Sequence, residues 1–220
     1  MPELIAVTMS VGTILNRDVN FLNFQYSQFV QKLGYQPFLI PNDLDYRPTM
    51  DQLPVKALLI TGGHDIGCNY SSLKPELRGT ITPLRDEQES RLFEWAVSHH
   101  IPVIGICRGM QLINVLLGGD LTTDLPAERP DGLNLHQRTT HQLKCIDRND
   151  ETIINSYHHQ GLTAEQLAFE LEPIAISPVD GIIEAVKHKT LPILAVQWHP
   201  ERDEGAFEWL RNQLKEQLSI

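Results

Sequence analysis

A cysteine with a glycine two residues away on each side lies near the middle of the chain, in the segment Gly105-Ile106-Cys107-Arg108-Gly109. The apolar run 101–106 precedes the turn and the run 110–117 follows it, which predicts a buried strand, a tight turn and a helix. Flanking glycines let strand and helix approach each other closely. The free N–H groups of the helix start favour a thiolate at the turn. We therefore predict that Cys107 is a nucleophile.

The other two cysteines, Cys68 and Cys145, lack this strand–turn–helix context. Three widely spaced cysteines form neither a disulfide framework nor a zinc-binding pair. We interpret Cys68 and Cys145 as small apolar residues.

A histidine and a glutamate two residues apart follow an apolar segment near the end of the chain, in Gln197-Trp198-His199-Pro200-Glu201. Pro200 disfavours helical backbone at His199, and in extended chain residues two apart project to the same side. Glu201 can then orient one ring nitrogen of His199 while the other faces Cys107. His199 is therefore predicted to be the base that takes the thiol proton, although the spacing by itself occurs often by chance.

A pair of glycines, Gly62 and Gly63, follows the buried run 57–61. Glycines at such a turn can direct backbone N–H groups towards a ligand. Together with the N–H of Arg108, the turn can supply the two donors of an oxyanion site. A plain glycine turn is the alternative interpretation.

Strands alternate with helices in the first half of the chain, which predicts a parallel sheet wound on both faces. The predicted strands are 4–8, 37–40, 57–61 and 101–106, and a helix is predicted over 85–99. Another helix carries the stripe Leu22, Tyr26, Phe29, Val30 and Leu33 and ends at Gly34. Ligands bind beyond the carboxyl ends of strands in such sheets, where Cys107 and the glycine pair fall.

The second half contains short β-rich runs at 142–146, 153–155, 173–176, 182–186 and 193–198. They predict a mixed or antiparallel extension of the sheet. A last helix, from about Glu204, carries Phe207, Leu210 and Leu214 on one stripe. No repeat or linker interrupts the chain, so a single domain over 1–220 is expected.

Together these segments resemble the class I (triad) glutamine amidotransferase superfamily. The matches are Gly62-Gly63, the segment 105–111 and Trp198-His199-Pro200-Glu201, in the expected order over nearly the whole chain. Within the superfamily the chain looks most like the γ-glutamyl-γ-aminobutyrate hydrolase-like (peptidase C26) branch. The segments typical of that branch are Asn155–Gln160, Arg85-Asp86-x-x-Glu89 and Ile183-Glu184-Ala185.

The resemblance implies an α/β, flavodoxin-like fold with a central, mostly parallel sheet, helices on both faces and a β-rich second half. It also implies a Cys107–His199–Glu201 catalytic triad, with no cofactor and no metal. The residues implied in oxyanion or substrate binding are Gly62, Gly63, Arg108, Gln111, Ser156, Tyr157, His158, His159 and Gln160. For Gln111, a buried amide that satisfies local backbone is the alternative interpretation.

The activity that the resemblance implies is hydrolysis of a γ-glutamyl amide through a thioester, which releases glutamate and an amine. The amine stays open, because the segment 63–68 lacks the Gly-Ser-rich stretch of many members and the chain is compact. It is γ-aminobutyrate or a nucleotide-linked amidate such as CDP-amidate in surface-polysaccharide biosynthesis. A glutaminase subunit that supplies ammonia to a separate synthase is the alternative. A silent binding protein fits an intact triad poorly.

Charge and hydropathy limit the partners. The net charge of −10 argues against nucleic acid and anionic membranes, and no apolar run reaches the length of a membrane span. The start, Met1-Pro2-Glu3, does not resemble a signal peptide. A small γ-glutamyl substrate and a cytoplasmic location are therefore expected, and a homodimer stays open.

Four histidines, His136, His141, His158 and His159, raise the question of a metal site. Adjacent histidines seldom both reach one ion, and no cysteine or carboxylate stands at ligand spacing, so a metal is not expected. One of the adjacent pair is expected to line the substrate pocket. Asp86 and Glu89 are interpreted as first-turn helix acids that pair with Arg85 or Arg91.

Overall fold

The structure is a computed structural model that describes residues 2–67, 81–125, 135–146 and 151–220. The strands in these ranges are β1 (Leu4–Thr8), β2 (Ser10–Ile14), β3 (Arg17–Phe21), β4 (Gln36–Ile40), β5 (Val55–Ile60), β6 (Val103–Ile106), β7 (Gln137–Cys145), β8 (Glu151–Tyr157), β9 (Leu171–Ile176), β10 (Ile183–His188) and β11 (Ile193–Val196). The helices are α1 (Phe24–Lys32), α2 (Arg47–Met50), α3 (Pro83–Ser98), α4 (Arg108–Leu116) and α5 (Glu204–Leu218), with short 3₁₀ helices at Ala164–Gln166 and Pro200–Arg202.

Nine of the described strands form one sheet in the order β4-β1-β5-β6-β11-β10-β9-β7-β8. The first five are parallel, with β6 between β5 and β11. The remaining strands continue the sheet in antiparallel pairs. The predicted fold class, a mostly parallel sheet with a β-rich second half, is confirmed.

Helices cover both faces of the parallel half, because its buried strands are apolar on both sides. On β1, Ala6 faces a core that includes residues of α3 and α4, whereas Ile5 and Val7 face a second core with residues of α1 and α5. The stripe predicted for the last helix, Phe207, Leu210 and Leu214, is buried in that second core. The two layers hold the carboxyl ends of β5, β6 and β11 side by side.

Two local features differ from the sequence prediction. Helix α1 begins after Leu22, because the side chain of Asn23 accepts a hydrogen bond from the N–H of Gln25 at 3.1 Å and caps the helix. A separate antiparallel hairpin of β2 and β3, which the apolar pattern did not predict, lies between β1 and α1.

The remaining cysteine predictions have different outcomes. Cys145 is buried, and its sulfur accepts a hydrogen bond from the Trp209 indole N–H at 3.2 Å, as suits a packed residue. Cys68 lies outside the described residues. In the described ranges, no helix is long and apolar enough to cross a membrane.

Candidate active site

Cys107 lies at the turn between β6 and α4, with φ 53° and ψ −109°. A positive φ is rare for a residue with a side chain and stores strain at this position. The Cys107 N–H donates to the Val196 carbonyl at 2.7 Å, which ties the turn to the neighbouring strand β11. The thiol therefore stands at the start of a helix, on a fixed backbone, as the sequence predicts for a nucleophile.

The two flanking glycines are required by close packing. A Cβ on Gly109 would lie 2.2 Å from the Ile60 carbonyl oxygen, and a Cβ on Gly105 would lie 2.7 Å from Ile113 Cδ1. Neither separation is compatible with a side chain. The glycines thus let α4 pack directly on the strands that carry the turn.

His199 and Glu201 meet beside Cys107. His199 Nδ1 lies 2.7 Å from Glu201 Oε1, and both side chains are almost fully buried. The ring also interacts with the Cys107 side chain, which is one of the groups that raise the pKa of His199. Glu201 thus fixes one ring nitrogen of His199, which leaves the other for the thiol.

The charge of His199 depends on these two neighbours. Burial lowers the pKa of the imidazole, but the interactions with Cys107 and Glu201 outweigh burial and raise the pKa to about 9. His199 is therefore protonated at neutral pH. An imidazolium next to a sulfur stabilises a thiolate there.

Asn155, at the end of β8, holds the backbone of His199 on both sides. Its Nδ2 donates to the His199 carbonyl at 2.9 Å, and its Oδ1 accepts from the His199 N–H at 3.0 Å. The sequence reasoning assigned Asn155 no role of its own. Its position in the chain offers no signal for this contact, because the two residues meet only through the sheet.

The turn after β5 differs in part from the expected pair of donors. The N–H of Gly62 donates to the Tyr26 hydroxyl at 2.9 Å, so it is already occupied. The N–H of Gly63 donates to no described residue. The N–H of Arg108 lies in the first turn of α4, where helix N–H groups lack partners within the helix. Gly63 and Arg108 are therefore the better pair of oxyanion donors.

Arg85 binds the backbone carbonyls of this turn. Its guanidinium donates to the Thr61 carbonyl at 2.8 Å and to the Gly62 carbonyl at 3.1 Å. A Cβ on Gly63 would lie 1.9 Å from Arg85 Nη1, so only glycine fits there. Because the Gly62 carbonyl points to Arg85, the N–H of Gly63 in the same peptide group points to the opposite side.

A buried ion network anchors Arg85. Arg85 Nε donates to Glu89 Oε1 at 2.9 Å, and the Arg108 guanidinium pairs with both Glu89 and Asp86. All four side chains are at most 1% exposed. The interpretation of Asp86 and Glu89 as first-turn acids is wrong for Glu89, which lies beyond the first turn of α3, and incomplete for Asp86. Both carboxylates pair with Arg108 in the interior. The pairing of Glu89 with Arg85 agrees with the prediction.

Two cavities meet at Cys107. The larger has a volume of about 380 Å³ and is bounded by the β2–β3 hairpin, the α1 start, Tyr157, His199 and Arg202. The smaller has a volume of about 40 Å³. Its lining residues are Gly63, His64, Asp65, Cys107, Gln111, Tyr157, His158, His159 and Gln160. The thiol is therefore accessible from two chemically different sides.

The predicted substrate segment 156–160 contributes unevenly to these cavities. Tyr157, His158, His159 and Gln160 line the smaller one. Ser156 does not line either cavity, because its hydroxyl is buried and donates to the His136 carbonyl at 2.8 Å. The hydroxyl of Ser156 is therefore used within the protein.

Two glutamine side chains connect this segment to the thiol. Gln111 Nε2 donates to the Gln160 carbonyl and to Gln197 Oε1, each at 3.1 Å. Gln197 Nε2 in turn lies 3.6 Å from Cys107 Sγ. The local hydrogen bonds of Gln111 match the alternative interpretation, although its side chain also lines the smaller cavity. Gln197 was not predicted as a site residue.

Behind the smaller cavity lies a buried histidine cluster, which we define as His136, His141, His158 and Glu184. One ligand-type atom from each lies within 4.8 Å of the others. Burial raises the pKa of the Glu184 carboxyl well above its ordinary value, and burial lowers that of His158. The sequence argument that no cysteine or carboxylate stands at ligand spacing misses Glu184, because the sheet brings this residue from β10 to the histidines. His159 lies apart and contacts Asp65 at 3.0 Å.

The chain is similar to a known protein family and to individual known proteins. The model of the family described as peptidase C26 matches residues 3–201. A Lactococcus lactis protein named as glutamine amidotransferase-like, YvdE, is 30% identical over 195 residues, which cover 83% of this chain and 81% of that protein. The γ-glutamyl-CDP-amidate hydrolase of Campylobacter jejuni is 29% identical over 151 residues, which cover 69% of this chain and 64% of that protein.

Solved structures share the fold. The crystal structure of a glutamine amidotransferase from Thermotoga maritima matches with a TM-score of 0.61 at 14% identity. The match covers 100% of this chain and 85% of that chain. Likeness at this identity concerns the architecture, which agrees with the sheet order and helix layers described above.

Proposed function

The chain belongs to the peptidase C26 family, and from this premise we propose that it is a γ-glutamyl amide hydrolase with a Cys107–His199–Glu201 triad. The hydrolysis would proceed through a γ-glutamyl thioester on Cys107. Glutamate and an amine would be the products. The proposal rests on two buried side chains, His199 and Glu201, which lie beside the sulfur of Cys107 at the wall of an open cavity.

Acylation begins with attack of the Cys107 thiolate on the γ-carbonyl carbon. The carbonyl oxygen becomes an oxyanion, which the N–H groups of Gly63 and Arg108 would stabilise. The C–N bond then breaks, and the His199 imidazolium gives its proton to the departing amine. A His199 pKa of about 9 suits this role, because the proton is present at neutral pH before the amine leaves.

Deacylation uses the same residues in reverse. His199, now neutral, takes a proton from a water molecule that attacks the thioester carbonyl. The C–S bond breaks, the sulfur leaves as a thiolate and glutamate is released. The imidazolium–thiolate pair is thereby restored. Glu201 keeps the ring in one orientation through both steps, because it accepts a hydrogen bond from Nδ1.

The difference in size between the two cavities is the observation that carries the proposal of a hydrolase. Ammonia is no larger than water, so a glutaminase has no use for a wide space on the leaving-group side of its sulfur. The larger cavity at Cys107 has a volume of about 380 Å³. This volume favours an amine of substantial size as the leaving group.

The smaller cavity offers groups that suit the amino-acid end of a γ-glutamyl substrate. Among the described residues, Asp65 Oδ2 and Gln160 Nε2 are buried polar atoms without a hydrogen-bond partner. An ammonium group satisfies a carboxylate oxygen, and a carboxylate satisfies an amide N–H. We expect Asp65 to bind the α-ammonium group and Gln160 the α-carboxylate.

A cation stands at the larger cavity. The Arg202 guanidinium lies 4.6 Å from the centre of the Tyr157 ring and also contacts Glu201. It favours an amine that carries a negative charge. Both γ-aminobutyrate and a cytidine-diphosphate amidate meet this requirement, and the second is the chemistry named for the Campylobacter jejuni relative.

Glutamate release from a substrate panel tests the proposal. The panel contains glutamine, γ-glutamyl-γ-aminobutyrate and γ-glutamyl-CDP-amidate, assayed with wild-type protein alone. We expect at least one of the bulkier, anionic amides to exceed glutamine in kcat/KM by about 100-fold or more, which corresponds to about 2.7 kcal/mol.

Matched variants make the result specific. Cys107→Ala should release no glutamate, whereas Cys145→Ala, a change at a buried cysteine elsewhere in the fold, should keep the substrate preference of the wild type. Glutamine as the preferred substrate, with activity that appears only on addition of a synthase, would support the glutaminase subunit instead. Equal activity of Cys107→Ala and wild type would overturn both.

A further inference from the structure

We propose that the buried histidine cluster is a structural zinc site, in which His136, His141, His158 and Glu184 hold one Zn²⁺ ion. The cluster lies outside the reacting atoms of the proposed hydrolysis. Its assignment does not depend on that activity.

Unsatisfied atoms are the first observation. Within the described residues, His136 Nδ1, His141 Nε2, His158 Nε2 and both oxygens of Glu184 are buried and have no hydrogen-bond partner. Buried polar atoms are normally paired, and an isolated buried carboxylate is especially costly. Four of these atoms, one from each residue, lie within 4.8 Å of one another and require a common partner. A cation satisfies all of them at once.

The distances fit a small metal ion better than direct hydrogen bonds. Glu184 Oε1 lies 3.5 Å from His136 Nδ1, 3.4 Å from His141 Nε2 and 3.7 Å from His158 Nε2. A normal N–H···O bond is about 2.9 Å long. Zinc bonds of about 2.0–2.1 Å in a tetrahedron separate the ligand atoms by about 3.4 Å. The three separations from Glu184 Oε1 are close to that value.

The second nitrogen of each histidine has a fixed acceptor. His136 Nε2 lies 2.9 Å from Asp180 Oδ2, His141 Nδ1 lies 3.0 Å from the Gln142 carbonyl and His158 Nδ1 lies 2.8 Å from the Gln160 carbonyl. Each outer nitrogen therefore carries the proton, which leaves a lone pair on the nitrogen that faces Glu184. Carboxylates and backbone carbonyls that orient histidines in this way are typical of zinc sites.

The ligand set favours zinc with a structural role. Three imidazoles and one carboxylate are borderline donors that zinc accepts in a four-coordinate site, whereas magnesium and calcium prefer oxygen atoms alone. His136, His158 and Glu184 are at most 4% exposed, so four protein ligands leave no open position for a substrate. The ion would fasten the start of β7, the end of β8 and β10 together.

The position of His158 gives the site a consequence for binding. His158 also lines the smaller cavity at Cys107, and its Nδ1 is hydrogen-bonded to the carbonyl of Gln160. A zinc ion would therefore fix the wall of that cavity. The expected effect of metal loss is a lower Tm together with a higher KM.

Metal analysis of tag-free protein, purified without chelators from zinc-supplemented medium, tests the proposal. We expect about one zinc per chain in the wild type and at least a ten-fold lower content in Glu184→Gln. The exposed His100 supplies the matched control, and His100→Asn should keep its zinc. Cys107→Ser should also keep it, which excludes the thiol as the binding atom.

The direction of the change in Tm of Glu184→Gln provides a second test. In the absence of a metal, Glu184→Gln removes a costly buried carboxylate and should raise Tm or leave it unchanged. With zinc bound, the same change removes a ligand and should lower Tm by about 5 °C or more. A rise in Tm, or equal zinc in wild type and variant, would overturn the proposal.

If Glu184→Gln does not fold, measurements on the wild-type protein still test the zinc proposal. Chelator treatment should lower the Tm of the wild type, and Zn²⁺ should restore it. Co²⁺ in place of zinc should give the visible absorption of a tetrahedral site. No bound metal, no shift in Tm with Zn²⁺ and no cobalt spectrum would contradict the assignment.

Discussion

Two groupings of histidine with glutamate lie close to each other and differ in how their atoms are paired. His199 Nδ1 and Glu201 Oε1 are in direct contact at 2.7 Å, and the charge of the ring also depends on Cys107. In the buried histidine cluster, Glu184 stays 3.4 to 3.7 Å from each of its three histidines. In the first grouping the histidine and the glutamate hydrogen-bond directly to each other, whereas in the second the facing atoms of all four residues have no hydrogen-bond partner among the described residues.

This difference separates two uses of the same residue types. A histidine whose two nitrogens both have protein partners is suited to move a proton between them. A histidine with one nitrogen oriented and the other unsatisfied is suited to bind an ion. We therefore expect changes at the first grouping to alter the chemical step and changes at the second to alter stability and binding.

The largest effect is expected from Cys107→Ala. Without the sulfur no thioester forms, and kcat/KM should fall by a factor on the order of 10⁴ or more. Glutamate release per enzyme, measured by a coupled assay, provides the value. Circular dichroism must show that the variant is folded. Residual activity within ten-fold of the wild type would contradict the role of the sulfur.

A smaller loss is expected from Glu201→Gln, about 10²- to 10⁴-fold in kcat, because the amide orients the ring less well and removes a negative charge. The pH profile should change as well. In the wild type, activity should fall above about pH 9, where the His199 imidazolium loses the proton that the amine needs. In the variant that decline should begin at lower pH. An unchanged alkaline limb would show that Glu201 does not act on His199.

Asn155→Ala should have an intermediate effect. Asn155 holds only the backbone of His199, so we expect kcat to fall by about ten-fold with little change in KM. Steady-state kinetics on the preferred substrate separates the two constants. Asn155→Asp, which keeps one of the two hydrogen bonds, should retain more activity than Asn155→Ala. A rise in KM alone would assign Asn155 to substrate binding.

Removal of metal from the wild type should have the smallest effect on the chemistry. Below the lowered Tm, chelator-treated protein should keep kcat within about three-fold, while KM rises because the wall formed by His158 loosens. Kinetics before and after addition of Zn²⁺ measures both constants. Complete loss of kcat that zinc restores would mean that the metal takes part in the reaction.

The sequence was most informative where residues close in the chain act together. The turn at Cys107 and the spacing of His199 and Glu201 are local patterns, and the structure brings their side chains to one place. The parallel half of the sheet was predictable for a similar reason, because its apolar runs are continuous and bounded by turns.

The features that the sequence did not predict depend on contacts between distant segments. His136, His141, His158 and Glu184 come from three regions of the β-rich half, and only the pairing of the strands brings them together. Arg85 and Arg108 are another example, because they share Glu89 of α3 although Arg108 lies on α4. Composition and periodicity do not show which distant segments of the chain meet.

A partition experiment tests the central claim, a γ-glutamyl thioester on Cys107, most directly. Hydroxylamine is added during turnover of two substrates with different amines, and glutamate and γ-glutamyl hydroxamate are measured. Since both substrates would pass through one acyl-enzyme, the account predicts the same ratio of hydroxamate to glutamate from each. A ratio that changes with the leaving amine, or glutamate without any hydroxamate, would contradict it.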